Sequence, residues 1–260
     1  MAQSPRPEAK QTPAELNISP SIKPKAIEST VPLTQDNLQA TEIVGFDDLG
    51  RKLTFQIRGA EVDPKDPEKE IYLYTVFYKD NNQQWQNLCK GDATYPARAI
   101  VLQGSWDSTG AYNANDQLVT FSCANGALGK CVRFGYKPWK TEQGKSLRDY
   151  HQACVRMVRA DYCGDGVGHT KNGTPINLYD FAGIQKSDPA PNMQFEAAWS
   201  GNGAQCINHV RWPEGLDYVK RVCPQRLAVP GAKNQCATAQ QARQNFPQAL
   251  LFNDSIVRTR

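Results

Sequence analysis

The chain has 260 residues, of which 40% are hydrophobic and 22% charged, and a net charge of +4. That length holds one large domain or two small ones, with apolar content adequate for a core. The mild charge, with no block of like charges, argues against nucleic acid as a partner, and no apolar run reaches the roughly 18 residues of a membrane span.

Residues 1–37 are poor in aromatics and rich in Pro, Ser, Thr and Lys. Such a composition buries too little surface to offset its ordering entropy, so it reads as a flexible leader. The competing reading is an arm packed on the domain through Ile22, Ile27 and Val31. Met1 to Pro5 has no apolar core of a signal peptide; an exported protein would have had one removed.

Residues 38–260 read as a single α+β domain, mainly antiparallel β with one central helix and a few short helices. A β-meander is expected over 38–140. Its first hairpin is Thr41–Phe46 and Lys52–Ile57, turned at Asp47 to Gly50. A polar, Pro-containing loop follows to Glu70. Ile71–Tyr78, β-branched and aromatic throughout, is expected to be a central strand buried on both faces. Asp80 to Asn82 turns the chain into Trp85–Cys89, and further strands are expected at Ala97–Trp106 and Leu118–Cys123, with a loop at Ser108–Gln117 between them. Gly126–Cys131 is a short helix or a turn. Arg133, Tyr136, Lys137 and Trp139 could then line a surface, where aromatics beside cations form a peptide- or glycan-binding platform; the bland alternative is core aromatics with solvated charges. Arg133, Tyr136 and Trp139 are the candidate binding residues.

The helix, glycine-loop and hairpin part, 141–212, carries the densest chemistry. Apolar residues at Leu147, Tyr150, Cys154, Met157 and Val158 mark one helix face, with Ser146 as N-cap and Arg148, Arg156 and Arg159 off the stripe. The helix should end between Ala160 and Cys163, where Gly164, Gly166 and Gly168 begin. Asn172-Gly173 predicts a two-residue hairpin turn that sets His169 and Thr170 against Pro175 and Ile176. After a loop at Asp180–Asn192, Met193–Trp199 and Gln205–Trp212 form a hairpin in which Phe195, Ala197 and Trp199 point inward and Glu196 the other way. The remainder, 213–260, is irregular apart from a short helix at Thr238–Phe246 and a strand at Leu250–Val257.

Four chemistries compete for the loop after the helix. Cys163 is a disulfide partner, or a nucleophile with His169 or His209 as base. Asp161 and Asp165 occupy two positions of a calcium-loop frame, which is faulty because Cys163 fills the third position and Asn172 the last, where a Glu is needed. Otherwise Asp165 simply accepts turn amides. Finally, Asp161, Asp165 and His169, joined by Glu196, are candidate catalytic groups for acid–base hydrolysis; for Glu196 the bland alternative is an ion pair with an arginine. No cofactor is expected, calcium at Asp161 and Asp165 being the alternative.

The string ADYCGDG (Ala160 to Gly166), with GSWDSTG, TFSC, KCVRFGYKPW and FEAAWSGNGAQC, resembles the bacterial ADYC-domain family, over about Glu42 to the C-terminus. The resemblance implies an exported protein and carries no catalytic residue across.

The eight cysteines, Cys89, Cys123, Cys131, Cys154, Cys163, Cys206, Cys223 and Cys236, contain no CxxC and fit a disulfide framework. A cytosolic chain with reduced thiols is the alternative. Neighbours in sequence suggest Cys123–Cys131, Cys154–Cys163 and Cys223–Cys236, leaving Cys89–Cys206. The function expected is an exported, disulfide-rich binding or structural module for a protein, peptide or glycan, secreted, periplasmic or on the cell surface. The alternative is a secreted hydrolase acting through the Asp161–His169 loop.

Overall fold

Antiparallel sheets dominate the computed structural model of the chain, which describes residues 21–22, 42–47, 50–92, 96–107, 109–115, 117–229, 231 and 235–258. The elements in order are β1 (Ser21–Ile22), β2 (Glu42–Phe46), β3 (Lys52–Val62), β4 (Tyr72–Lys79), β5 (Trp85–Asn87), β6 (Ala99–Gln103), β7 (Ser105–Trp106), β8 (Tyr112–Asn113) and β9 (Val119–Cys123). Helix α1 (Ala127–Arg133), β10 (Thr141–Glu142), β11 (Lys145–Ser146) and α2 (Leu147–Arg159) follow. The last part comprises β12 (Ile176–Asp180), β13 (Met193–Ser200), β14 (Gly203–Ile207), α3 (Gly215–Val222), a 3-10 turn (Pro224–Arg226), α4 (Ala239–Asn245) and β15 (Leu251–Ile256). Apart from Ser21–Ile22, which pairs with β2 and β9, the expected leader lies outside the described residues.

Two sheets enclose α1 and α2. In the first, hydrogen-bonded neighbours run β3-β2-β1-β9-β6-β4 and return to β3, a closed ring with β5 added on β4. Phe55, Ile57, Val76, Ala99 and Phe121 fill it. Ile100 and Leu102, the alternate residues of β6, point out of the ring into the main core with Leu128, Val132 and Cys154. The strand buried on both faces is therefore β6. The expected one, β4, buries Leu73 and Val76 but leaves Tyr72 about half exposed. The expected strand Ala97–Trp106 breaks at Gly104, whose positive φ of 92° turns the chain into β7.

The second sheet has the order β12-β15-β13-β14. Its one face meets α2; its other face, through Phe195, Ala198 and Phe252, meets Ala242 of α4. Helix α2 is thus covered by two layers. Ser146 caps it, its hydroxyl accepting from the Arg148 N–H, as the sequence indicates. The double cover explains why Arg156, expected on the wet side, is 2% exposed, and why His151 is buried as well. The Asn172-Gly173 turn forms, but His169 and Thr170 pair with no strand there; β12 instead pairs with β15 over Ile176–Asp180 and Leu251–Ile256. In β13 a bulge at Glu196 shifts the register against β15, so that Phe195 and Ala198 share one face and Ala197 and Trp199 the other. Strict alternation fails there, and all five residues from Phe195 to Trp199 are buried.

All eight cysteines are bridged, as Cys89–Cys123, Cys131–Cys154, Cys163–Cys223 and Cys206–Cys236. None of the pairs suggested by sequence proximity forms. Cys131 is carried by α1 onto α2 and meets Cys154 there. Cys163 leaves the end of α2 and is met by the end of α3, a helix absent from the sequence reading.

Candidate functional site

The turn after α2 is built by the four residues Ala160 to Cys163. Ala160 closes the helix in the left-handed conformation, φ 50° and ψ 43°, and its methyl group is fully buried. Asp161, equally buried, gathers the following loop: its carboxylate accepts from the N–H groups of Gly164 (2.9 Å), Asp165 (3.2 Å) and Gly166 (3.1 Å) and pairs with Arg156 at 2.6 Å. The side chain of Tyr162 enters the core, and Cys163 is tied to Cys223. The loop lies backbone to backbone on the β13–β14 turn, where the Ala204 N–H donates to the Tyr162 carbonyl at 3.0 Å. A Cβ at Gly164, whose φ is 72°, would collide with the Asn202 carbonyl, so this glycine is required for both conformation and space.

Beneath the turn lies a buried ion pair. Arg211 donates from Nε and Nη2 to Glu196 at 3.0 Å each, and neither side chain exposes more than 1%. The Tyr162 hydroxyl donates to Glu196 at 2.9 Å and accepts from the Arg211 N–H at 2.7 Å. Arg211 also donates to the carbonyls of Met157 and Val158, thereby capping the end of α2. Burial pushes the Glu196 carboxyl up, but the charge and hydrogen bonds of Arg211 outweigh it and hold the group below the ordinary glutamate value. Arg211 is correspondingly raised.

Tyr162 also stands in a column of rings, Trp199–Tyr162–His169–Tyr218, with centroids 5.3, 6.0 and 4.8 Å apart. Tyr218 ends the column by donating to Asp165 at 2.7 Å. The four candidate catalytic groups are therefore neighbours in two sets. Asp161 and Glu196 are fully buried and neutralised by arginines, while Asp165 and His169 flank Tyr218 nearer the surface. His169 is depressed below the ordinary histidine value by burial. Asp161 commits both oxygens to loop amides and Arg156, the geometry of a turn organiser. Among the described residues no three His, Cys, Asp or Glu side chains come together in a metal-holding group. Bridged to Cys223, Cys163 has no thiolate, which overturns its nucleophile reading.

Of the residues expected to line a surface near Trp139, only Trp139 itself is exposed. Tyr136 is fully buried, its hydroxyl donating to Asp180 at 2.8 Å. Arg133 forks onto Asp63, and Lys137 meets Asp66 at 2.8 Å and Glu70 at 3.0 Å. These cations clamp the 63–70 loop against α1. A further pair, without any signal in the sequence, is His209 and Ser255, with Nε2 and Oγ 3.1 Å apart; Ser255 is fully buried inside the second sheet.

His151 is the third histidine. Its Nε2 lies 3.1 Å from the Leu128 carbonyl, so this nitrogen carries the proton. Burial lowers its pKa from 6.5 to about 4, the hydrogen bond to Leu128 opposing and the charge of Arg148 assisting. With the folded-state value below the unfolded one, the unfolded chain takes up the proton first as pH falls. Stability present above about 6.5 is therefore lost toward 4. About 2 kcal/mol should disappear between pH 7 and pH 5 through this residue. Urea titrations at the two pH values should show a smaller loss in His151→Gln, which keeps an N–H for Leu128 and cannot titrate.

A cleft of about 780 Å³ opens between α1, the second half of α2 and the 168–174 turn. Trp106, Phe134, Val155 and Val158 supply apolar wall, and Asn125, Thr170, Asn172 and Thr174 supply amide and hydroxyl groups. The charged residues that line it are Lys130, Arg159, Lys171 and Arg211, with no Asp or Glu. Sequence reading missed this site because its cations are scattered from α1 to beyond β14.

The ADYC domain family model matches residues 33–213. No curated protein and no solved structure matches. The match ends before Cys223, Cys236 and β15, although β15 is an inner strand of the second sheet, paired with both β12 and β13. A chain stopped at residue 213 should therefore lack cooperative unfolding by circular dichroism. A transition as sharp as that of the full chain would show β15 and the last two bridges to be dispensable.

Proposed function

The chain belongs to the ADYC domain family, and from that premise we propose that it is an exported, disulfide-rich binding module whose ligand occupies the cleft between α1, α2 and the 168–174 turn. The cleft carries the reading. It combines apolar wall with hydrogen-bonding and charged side chains in a volume typical of ligand sites, and two bordering elements, α1 and α2, are cross-linked by Cys131–Cys154. A rigid frame of this kind limits the ordering cost of binding. Four disulfides support an oxidising compartment, and among the described residues no helix is long and apolar enough to cross a membrane. By contrast, Asp161 and Glu196 hold the fold together and have no surface from which to exchange protons with a substrate.

The test is binding of the full chain to glycan and peptide arrays beside Ala127→Trp, a substitution that places an indole in the cleft. Ligands retained by the native chain and lost by the variant support the proposal. Arrays left empty by the native chain, or unchanged binding by the variant, overturn it.

A further inference from the structure

We infer that the cleft selects an acidic glycan, a short oligosaccharide bearing carboxylates, an inference that rests on the cleft being the binding site. The lining charges are one-sided: Lys130, Arg159, Lys171 and Arg211 line the cleft and no Asp or Glu does, in a chain whose 30 basic and 26 acidic residues are nearly balanced. Lys130, Lys171 and Arg211 each already interact with another protein group: Arg211 is committed to Glu196, and Lys171 meets Glu214 at 3.1 Å on the exposed rim and lies over the Trp212 ring at 3.6 Å. Arg159 also bonds a protein group, the Gly166 carbonyl, and feels the charges of Asp161 and Asp165, but among the described residues no carboxylate forms a salt bridge with it. Burial holds it below the ordinary arginine value, so a ligand anion entering the cleft would meet a partly desolvated cation.

The neutral lining narrows the class. Asn125, Asn172, Thr170 and Thr174 offer amide and hydroxyl groups between the cations, and Trp106 and Phe134 offer ring faces or edges. A bare phosphate needs only clustered cations and backbone amides. A uronate-type sugar presents a carboxylate, several hydroxyls and an apolar ring face, and so uses all three kinds of lining. The glycines at 110, 126, 168 and 173 keep side chains off the walls, which suits the flat breadth of a pyranose.

The experiment is isothermal titration of the full chain with trigalacturonate, its neutral methyl ester and triglutamate. Trigalacturonate should bind, with affinity falling as salt rises from 50 to 500 mM, and the methyl ester should bind on the order of tenfold more weakly. Lys171→Glu, an exposed change that leaves the core alone, should weaken trigalacturonate by a similar factor. Equal affinity for acid and ester overturns the acidic preference while leaving the cleft a binding site. Tighter binding of triglutamate overturns the glycan and points to a peptide. Trigalacturonate binding that survives both Lys171→Glu and Ala127→Trp overturns the inference and the cleft together, and so does the absence of binding by all three.

Discussion

Glu196→Gln is expected to destabilise the chain by about 3–5 kcal/mol, a large share of the stability of a domain this size. The substitution preserves shape and leaves the Arg211 guanidinium in the core without its anion. Arg211 would still cap α2 through Met157 and Val158, so it cannot swing out to water without breaking those contacts. The decisive measurement is a double-mutant cycle by urea unfolding with the disulfides intact. Glu196→Leu with Arg211→Met should be less destabilised than either single change, because the cost lies in the unpaired charge. Additive losses would show that the pair is not coupled. The same pair sets an acid limit. A carboxylate with a lowered folded-state pKa contributes stability above its unfolded value and loses it as pH falls through the folded one, so this contribution is intact at pH 5, where that of His151 is already failing.

The second large effect belongs to Asp161. Asp161→Asn should cost about 3 kcal/mol or more, because three backbone amides and the buried Arg156 depend on one carboxylate. An asparagine offers a single acceptor oxygen, and its amide would oppose either the Gly164 and Asp165 N–H groups, which share Oδ1, or the Gly166 N–H and Arg156, which share Oδ2. Asp165→Asn should cost less than about 1 kcal/mol, since Asp165 serves only the Val167 N–H and the Tyr218 hydroxyl at the edge of the core. Amide hydrogen exchange gives an independent reading: protection at Gly164 and Gly166 should vanish in the first variant and persist in the second. If both variants behaved alike, Asp161 would not be what organises the turn.

Local chemistry was legible in the sequence where a residue acts on its neighbours. The Ser146 cap, the helix to Arg159, the short helix that begins after Thr238 and the final strand are present within a residue or two, and both the β2–β3 and β13–β14 hairpins form, although β3 runs on to Val62 and β14 stops at Ile207. What failed was everything decided by the far side of a packing interface. Arg156 read as lying off the core because a helical wheel shows only one apolar stripe and cannot show that the β13–β14 turn closes over the other side. Asn172-Gly173 signals a turn, yet the partner of β12 is supplied by β15, more than seventy residues later. Helix α3 begins at a glycine and escaped notice, and with it went the partner of Cys163. The family's four-letter signature concentrates reactive residue types and so invited a catalytic reading. In the fold all four letters serve packing or bonding, as a left-handed cap, an amide collector, a ring over an ion pair and a bridge. The cleft drew no attention because no two of its cations are close in sequence.

The order of the bridges bears on how the molecule is made. If thiols oxidise with their nearest upstream neighbour as the chain emerges, Cys89 meets Cys123 and Cys131 meets Cys154, and both pairs are native. The same rule then joins Cys163 to Cys206 and Cys223 to Cys236, and both are wrong, since the native bridges 163–223 and 206–236 interleave. The first half of the protein can mature as it is synthesised. The second half has to wait for its last thirty or so residues, or else be reshuffled by thiol–disulfide exchange, which makes its yield dependent on a disulfide isomerase where the first half is not.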